Sequence, residues 1–179
     1  MQRRAAVKYL FVVAAGSAIL PSCLHRKETA SIALKHLDID ANQEKLLSEI
    51  AETIIPAGSA PGARDTYAHL FVLRMVDDCY EAEKQQTFLR GLKETDDLAR
   101  KKFGTSFLQS SKQQRNEIVS LLENENTSKN AVDFYLMMKN LTIQGYLTSK
   151  PVLGNIFRYE LVPGRYNGFF PVNAITHPA

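Results

Sequence analysis

The stretch that decides the fold is DANQEKLLSEIAETIIP, residues 40–56. Asp40 stands three residues before Gln43, which is typical of a capping box, where two side chains satisfy the free backbone N–H groups at the start of a helix. Apolar residues then recur at helical spacing: Leu46, Leu47, Ile50, Ala51 and Ile54. Pro56 ends the segment, because the residue before a proline avoids the helical conformation. The pattern predicts an amphipathic helix with one side in a protein core.

Four further helices are predicted downstream, because the same apolar periodicity returns between breaks. In chain order they cover about 65–80, 83–103, a stretch opened by a capping box at Ser110 or Ser111, and 130–147. These helices have no strand-like segments between them. The sequence therefore predicts an all-α fold, an irregular bundle of about five helices over residues 40–149.

The character of the sequence changes after Ser149. Residues 150–179 combine prolines and glycines with several phenylalanines and tyrosines, and they predict an extended, irregular, aromatic C-terminal arm. Aromatic side chains bury large areas and are enriched in the centres of protein interfaces. The arm either covers a partner or packs on its own bundle, and the residues leave both alternatives open.

Composition and charge exclude one class of partner. The chain has 179 residues, enough for one domain, and is 45% hydrophobic and 23% charged, as globular proteins are. Without residues 1–22, Lys plus Arg falls from 22 to 19, equal to the 19 Asp plus Glu. A neutral domain lacks the basic face that neutralises phosphates, so no nucleic acid is expected as a partner.

The first 22 residues predict a signal peptide. Arg3, Arg4 and Lys8 make a basic start, and residues 9–20 follow without any charge. Those twelve residues are too few for a bilayer-spanning helix, which needs about 20, but they fit the apolar region of a signal peptide. The alternative is a buried N-terminal helix, which the absence of a polar side disfavours.

Residues 20–23, LPSC, resemble the lipobox of bacterial lipoproteins, with an apolar residue three before a cysteine and a small residue directly before it. The resemblance implies cleavage between Ser22 and Cys23 and a lipid on Cys23. Residues 23–39 then form a lipidated tether, and the protein is exported and membrane-anchored, facing the periplasm. The alternative is a disulfide between Cys23 and Cys79, which an oxidising compartment permits.

Residues 3–8, RRAAVK, resemble a twin-arginine signal. Gln2 and Ala6 depart from the usual pattern, which has Ser or Thr and Phe at these positions. The alternative is an ordinary basic start for export of an unfolded chain. The twin-arginine route carries folded proteins, so the resemblance implies that this chain, or a partner travelling with it, holds a cofactor.

No catalytic or metal site is predicted. The chain has no G-x-G-x-x-G or P-loop motif for nucleotides and no C-x-x-C-H motif for covalent haem. Its histidines lack the clustering of metal ligands and are interpreted as surface residues: His25, His36, His69 and His177. Cys79 is interpreted as a small buried apolar residue. The acidic pairs 77–78 and 96–97 are interpreted as solvated charges, because adjacent helical residues point in different directions.

Several segments in order resemble one known family: Ile54-Ile55-Pro56 with Pro61-Gly62-Ala63, 88–92, Phe103-Gly104 with Phe107, 141–149, Tyr159, and 162–166 with Gly168. Together, over about residues 46–171, they are similar to the gluconate 2-dehydrogenase subunit 3 family. The resemblance implies a non-catalytic small subunit, with no cofactor of its own, of a membrane-associated FAD-dependent sugar or polyol dehydrogenase.

The partner that the resemblance implies is a large FAD-binding subunit of the glucose–methanol–choline type, often with a cytochrome c subunit. The small subunit would take the flavoprotein across the membrane and anchor it there. Candidate contacts with the partner are Pro61, Gly62, Tyr146, Tyr159, Pro163, Tyr166 and Phe170. The alternatives are a stand-alone lipoprotein acting as a membrane scaffold or interaction module, and an enzyme that binds sugar or polyol at the aromatic arm.

Overall fold

The computed structural model describes residues 29–124 and 127–157, with the single positions Val162, Gly164 and Phe169. This part of the chain contains six α-helices, one short 3₁₀ turn and no extended strand. The elements are α1 Ala41–Ile54, α2 Ala68–Cys79, α3 Ala82–Phe103, the 3₁₀ turn Phe107–Gln109, α4 Lys112–Glu123, α5 Lys129–Leu147 and α6 Lys150–Asn155. The predicted all-α fold is confirmed.

Both predicted capping boxes are present at helix starts. The Gln43 N–H donates to Asp40 and the Asp40 N–H donates to Gln43, each at 2.9 Å. Ser111 rather than Ser110 caps α4, with Gln114 completing the box. Ser110 is instead buried and donates its hydroxyl to a carbonyl in the turn before it. Which of the two serines caps α4 therefore depends on the tertiary structure, in which Ser110 is buried and already hydrogen-bonded.

The centre of the bundle is α5, which packs against every other helix of the described chain, most extensively against α3 and α2. Gly91 of α3 allows the closest approach, since an added Cβ atom would lie 2.2 Å from the Cβ atom of Phe134. The rings of Phe88 and Phe134 meet edge to face at 5.0 Å between centroids. The largest fully buried side chains are Phe88, Phe107, Phe134, Leu47, Ile50, Leu73, Leu92, Ile118, Leu122 and Met138.

The prediction of a tether over residues 23–39 is wrong for residues 29–39, which belong to the folded domain. Residues 29–39, which we call the N-terminal strap, pack on the bundle, and Leu37 and Ile39 belong to the core. Ser31 donates its backbone N–H and its hydroxyl to the Glu44 carboxylate, both at 2.6 Å. The strap mixes apolar and polar residues without a helical period, so its apolar anchors were not recognised.

The prediction of an irregular arm over residues 150–179 is wrong for its first residues, which are helical. Residues 150–155 form the short helix α6, with a proline in its first turn, where a missing N–H group is tolerated. Val152 is buried and attaches this helix to the bundle. The predicted contacts Tyr159, Pro163, Tyr166 and Phe170 lie outside the described residues, as do the signal peptide and the lipidation site.

Candidate partner interface

Three predicted partner contacts lie together where the loop after α1 meets α5. The Tyr146 hydroxyl of α5 donates to the Pro61 carbonyl at 2.9 Å. Gly62 is buried, and a Cβ atom there would lie 2.5 Å from a Glu52 carboxylate oxygen. The structure thus gives Pro61, Gly62 and Tyr146 a role in joining the loop after α1 to α5. Pro61 and Tyr146 are only half-buried, and their contact with a partner stays a prediction.

The loop between α1 and α2, residues 55–67, is held by acidic side chains. Glu52 accepts the backbone N–H groups of Ala57 and Arg64 at 3.0 and 3.1 Å. Asp65 accepts the Gly62 N–H at 2.9 Å. These bonds replace the helical hydrogen bonds that the chain gives up after α1, and the loop therefore has a defined shape without regular secondary structure.

An exposed apolar surface runs along α5 and α6. Leu136, Ile143 and Leu147 are spaced by seven and four residues, which places them on one side of α5. Ile156 and Phe157, which directly follow α6, are exposed as well. We call these five residues the apolar ridge, and each is between 38% and 58% exposed.

No charged residue occurs between positions 140 and 149, in the part of α5 that carries Ile143 and Leu147 and in the turn that follows it. Depletion of charge is what distinguishes the centre of a protein interface from the remaining surface. Sequence reasoning assigned one apolar side to this helix and missed the second. The signal was available, because a helix with apolar residues on all sides is normally covered on all sides.

A model of the gluconate 2-dehydrogenase subunit 3 family matches residues 41–164, well over half of the chain. The chain belongs to this family. The expected resemblance is thereby confirmed, and the matched range contains the described helices, the loop at Pro61 and the apolar ridge. No curated protein and no solved structure gave a match to the chain. Subunit 3 is an accessory subunit of a dehydrogenase.

The acidic pairs of this subunit 3 protein are not the solvated charges that were predicted. Asp77 is 1% exposed, and its carboxylate accepts the backbone N–H groups of Lys35, His36 and Leu37 at 2.8, 2.7 and 2.8 Å. Burial by itself raises the pKa of Asp77, but the three N–H groups outweigh it and the pKa lies below its usual value. Asp77 therefore holds the N-terminal strap as a carboxylate.

Asp96 has a corresponding role in α3. Its carboxylate accepts the Phe107 backbone N–H at 2.8 Å and the Arg100 side chain at 2.9 Å. The first bond secures the 3₁₀ turn, whose Phe107 ring is fully buried. One member of each acidic pair is thus structural, and the second members, Asp78 and Asp97, are exposed.

Two further interpretations need correction. His69 is buried rather than on the surface, and its Nδ1 atom has no hydrogen-bond partner. Burial lowers the pKa of His69, and Glu44, whose carboxylate lies 3.9 Å from Nε2, offsets this only in part. Cys79 is exposed rather than buried. His36 is exposed, as predicted.

Within residues 29–124 and 127–157, no three His, Cys, Asp or Glu side chains come together as a metal site would require. None of the helices that the structure describes has the length and apolarity needed to cross a bilayer.

Proposed function

We propose that this chain is the non-catalytic small subunit of a membrane-associated, FAD-dependent sugar or polyol dehydrogenase of the gluconate type. It binds the large flavoprotein subunit, accompanies it through the membrane in the folded state, and anchors it there. Membership of the subunit 3 family supports the accessory role. The observation that carries the binding role is the apolar ridge, whose side chains on the central helix are exposed and which has no charged residue between positions 140 and 149.

The ridge is suited to contact with protein. Monomeric soluble proteins rarely leave large contiguous apolar surfaces in water, and such patches mark interaction sites. The ridge occupies the side of α5 that its own bundle leaves open. A permanent interface buries upwards of roughly 2,000 Å², more than five side chains supply. We assign the remainder to the aromatic arm, including Tyr159, Pro163, Tyr166 and Phe170.

The redox chemistry belongs to the partners in this proposal. The chain has no nucleotide-binding glycine motif, so FAD is held by the large subunit of the glucose–methanol–choline type. A cytochrome c subunit would pass the electrons on. The small subunit contributes surface, export and anchorage, and substrate choice rests with the flavoprotein.

The N-terminal strap refines the anchoring part of the proposal. If Cys23 carries the lipid, only residues 24–28 separate it from the strap, which begins at Thr29. Six peptide steps span at most about 20 Å. The bundle, and with it the bound flavoprotein, would be held close to the membrane surface on a short tether.

The test is purification of the full chain, with a C-terminal tag, from mildly solubilised membranes of its own host. We expect a stoichiometric large subunit and the visible absorption of flavin. The double variant Ile143→Asp, Leu147→Asp should lose both, because two charges would be buried without partners in the interface. The matched control Gln86→Asp, Gln113→Asp places the same charges on exposed positions of α3 and α4 and should retain them.

A colourless single band from the unaltered chain would contradict the proposal and favour the stand-alone lipoprotein. Replacing Arg3 and Arg4 by lysine tests the export route separately. Export of the complex should stop if the twin-arginine route carries it, whereas a general route tolerates the change.

A further inference from the structure

Tyr67 has an unusual backbone conformation. It lies at the start of α2 with φ 55° and ψ 32°, in the left-handed region, and is the one non-glycine residue with positive φ in the part of the chain that the structure describes. A bulky side chain in this region is strained, and glycine or asparagine is the usual occupant. Such strain persists only where the surroundings impose it, and it is concentrated at functional sites.

Backbone hydrogen bonds on both sides of Tyr67 hold it in the left-handed conformation. Its N–H donates to the Arg64 carbonyl at 3.0 Å, and its own carbonyl accepts the Leu70 N–H at 2.9 Å. The next residue, Ala68, is buried and donates to the Ala63 carbonyl at 3.0 Å. The backbone on both sides is thus fixed, and the side chain leaves the loop in one direction.

The ring gains little inside the molecule. Tyr67 is 65% exposed, and its described ring contact is with His69, at 6.3 Å between centroids. A glycine would relieve the strain and lose little packing, since most of the ring is in water. An exposed aromatic ring on a strained, rigid backbone does not serve the stability of this domain.

We propose that Tyr67 is an anchor residue that inserts into an apolar pocket of the flavoprotein subunit; this inference rests on the proposed function. Tyrosine is enriched among the few residues that dominate interface energies, and a side chain on a backbone that is already fixed loses less entropy on binding. The strain would then be compensated only in the complex.

The position of the loop agrees with this role. The Tyr146–Pro61 hydrogen bond joins the loop to the last turn of α5. Gly145 packs directly on Phe71 of α2, since a Cβ atom added to Gly145 would lie 2.9 Å from the Phe71 side chain. Tyr67 therefore belongs to the same end of the bundle as Leu147 of the apolar ridge, so one partner can reach both.

The test measures release of the flavoprotein from the tagged full chain, purified as above and immobilised, by the loss of flavin absorbance during buffer exchange. Tyr67→Gly and Tyr67→Asn remove the ring and suit the left-handed backbone, whereas Tyr67→Phe keeps the ring. We expect release about thirty-fold faster for the first two and nearly unchanged for the third. Urea midpoints of the full chain should not fall for Tyr67→Gly or Tyr67→Asn.

The outcomes separate the two proposals. If Tyr67→Gly and Tyr67→Asn hold the flavoprotein as firmly as the unaltered chain while the ridge variant loses it, the anchor is disproved and the proposed function stands. If the unaltered chain carries no flavoprotein, both are disproved. A clear fall in the urea midpoint of Tyr67→Gly would show that the tyrosine stabilises its own domain, and would overturn the anchor as well.

Discussion

The N-terminal strap and the apolar ridge both lie at the periphery of the bundle, but the strap is packed and hydrogen-bonded to it, whereas the ridge is exposed. The strap mixes apolar and polar residues, and its backbone is bonded to the buried carboxylate of Asp77. The ridge is apolar and remains in water. The strap thus stabilises this domain, whereas we expect the exposed ridge to contribute little to the domain's own stability.

The largest effect should come from breaking the strap. Asp77→Ala leaves three backbone N–H groups without their acceptor, and we expect the free energy of unfolding to fall by about 3 kcal/mol, since hydrogen bonds to charged groups are strong and unpaired donors are costly. Urea unfolding followed by circular dichroism measures it. The neighbouring Asp78→Ala removes only surface ion pairs, with Lys35 and with Arg74, and should change little. Equal losses in both would show that the strap is not held as described.

Lowering the pH should weaken the same contact, between the Asp77 carboxylate and the strap. Because the pKa of Asp77 is lowered in the folded state, its contribution is complete above the unfolded value of about 3.9 and is lost as the pH falls through the folded value. The free energy of unfolding, measured from neutral pH downwards, should therefore decrease below about pH 4. In Asp77→Asn this component should be absent, and an unchanged acid slope in that variant would contradict the assignment.

His69 should give a smaller effect at higher pH. Burial lowers the pKa of His69, so the unfolded chain takes up a proton below about pH 6.5 before the folded chain does. Stability is then complete above about 6.5 and decreases as the pH falls through it. His69→Gln, which does not titrate, should remove this slope. The same slope in the variant would place its origin elsewhere.

The smallest effect on stability should come from the ridge. Leu147→Asp and Ile143→Asp, made singly, should change the free energy of unfolding by no more than about 0.5 kcal/mol, because substitutions at exposed positions have little to break. The same urea measurement on the full chain shows it. A loss comparable to that of Asp77→Ala would mean that the ridge supports the bundle, and would remove the contrast between the two regions.

The helices could be predicted because their signals are local. The capping boxes at Asp40 and Ser111 and the apolar spacing around Leu47 depend on residues a few positions apart. Asp77 could not be predicted, since its partners lie about 40 residues earlier in the chain and nothing near it distinguishes it from Asp78. The same holds for His69, which is buried by the packing of other helices.

The candidate interface, too, could be predicted from the sequence only in part. Family membership and the accessory role could be predicted from ordered motifs between Ile54 and Gly168, because motifs are linear patterns. The apolar residues of the ridge can be read from the sequence, but their exposure could not be predicted, because it depends on which sides of α5 the other helices cover.

The sequence by itself determined the helices, their caps and the family, because each follows from short-range spacing and residue type. Only the tertiary structure decided which carboxylates are buried, that the strap belongs to the domain, that Tyr67 is held in a left-handed conformation and that one side of α5 stays open. These properties depend on contacts between segments far apart in the chain, where burial converts a solvated charge into a structural hydrogen-bond acceptor.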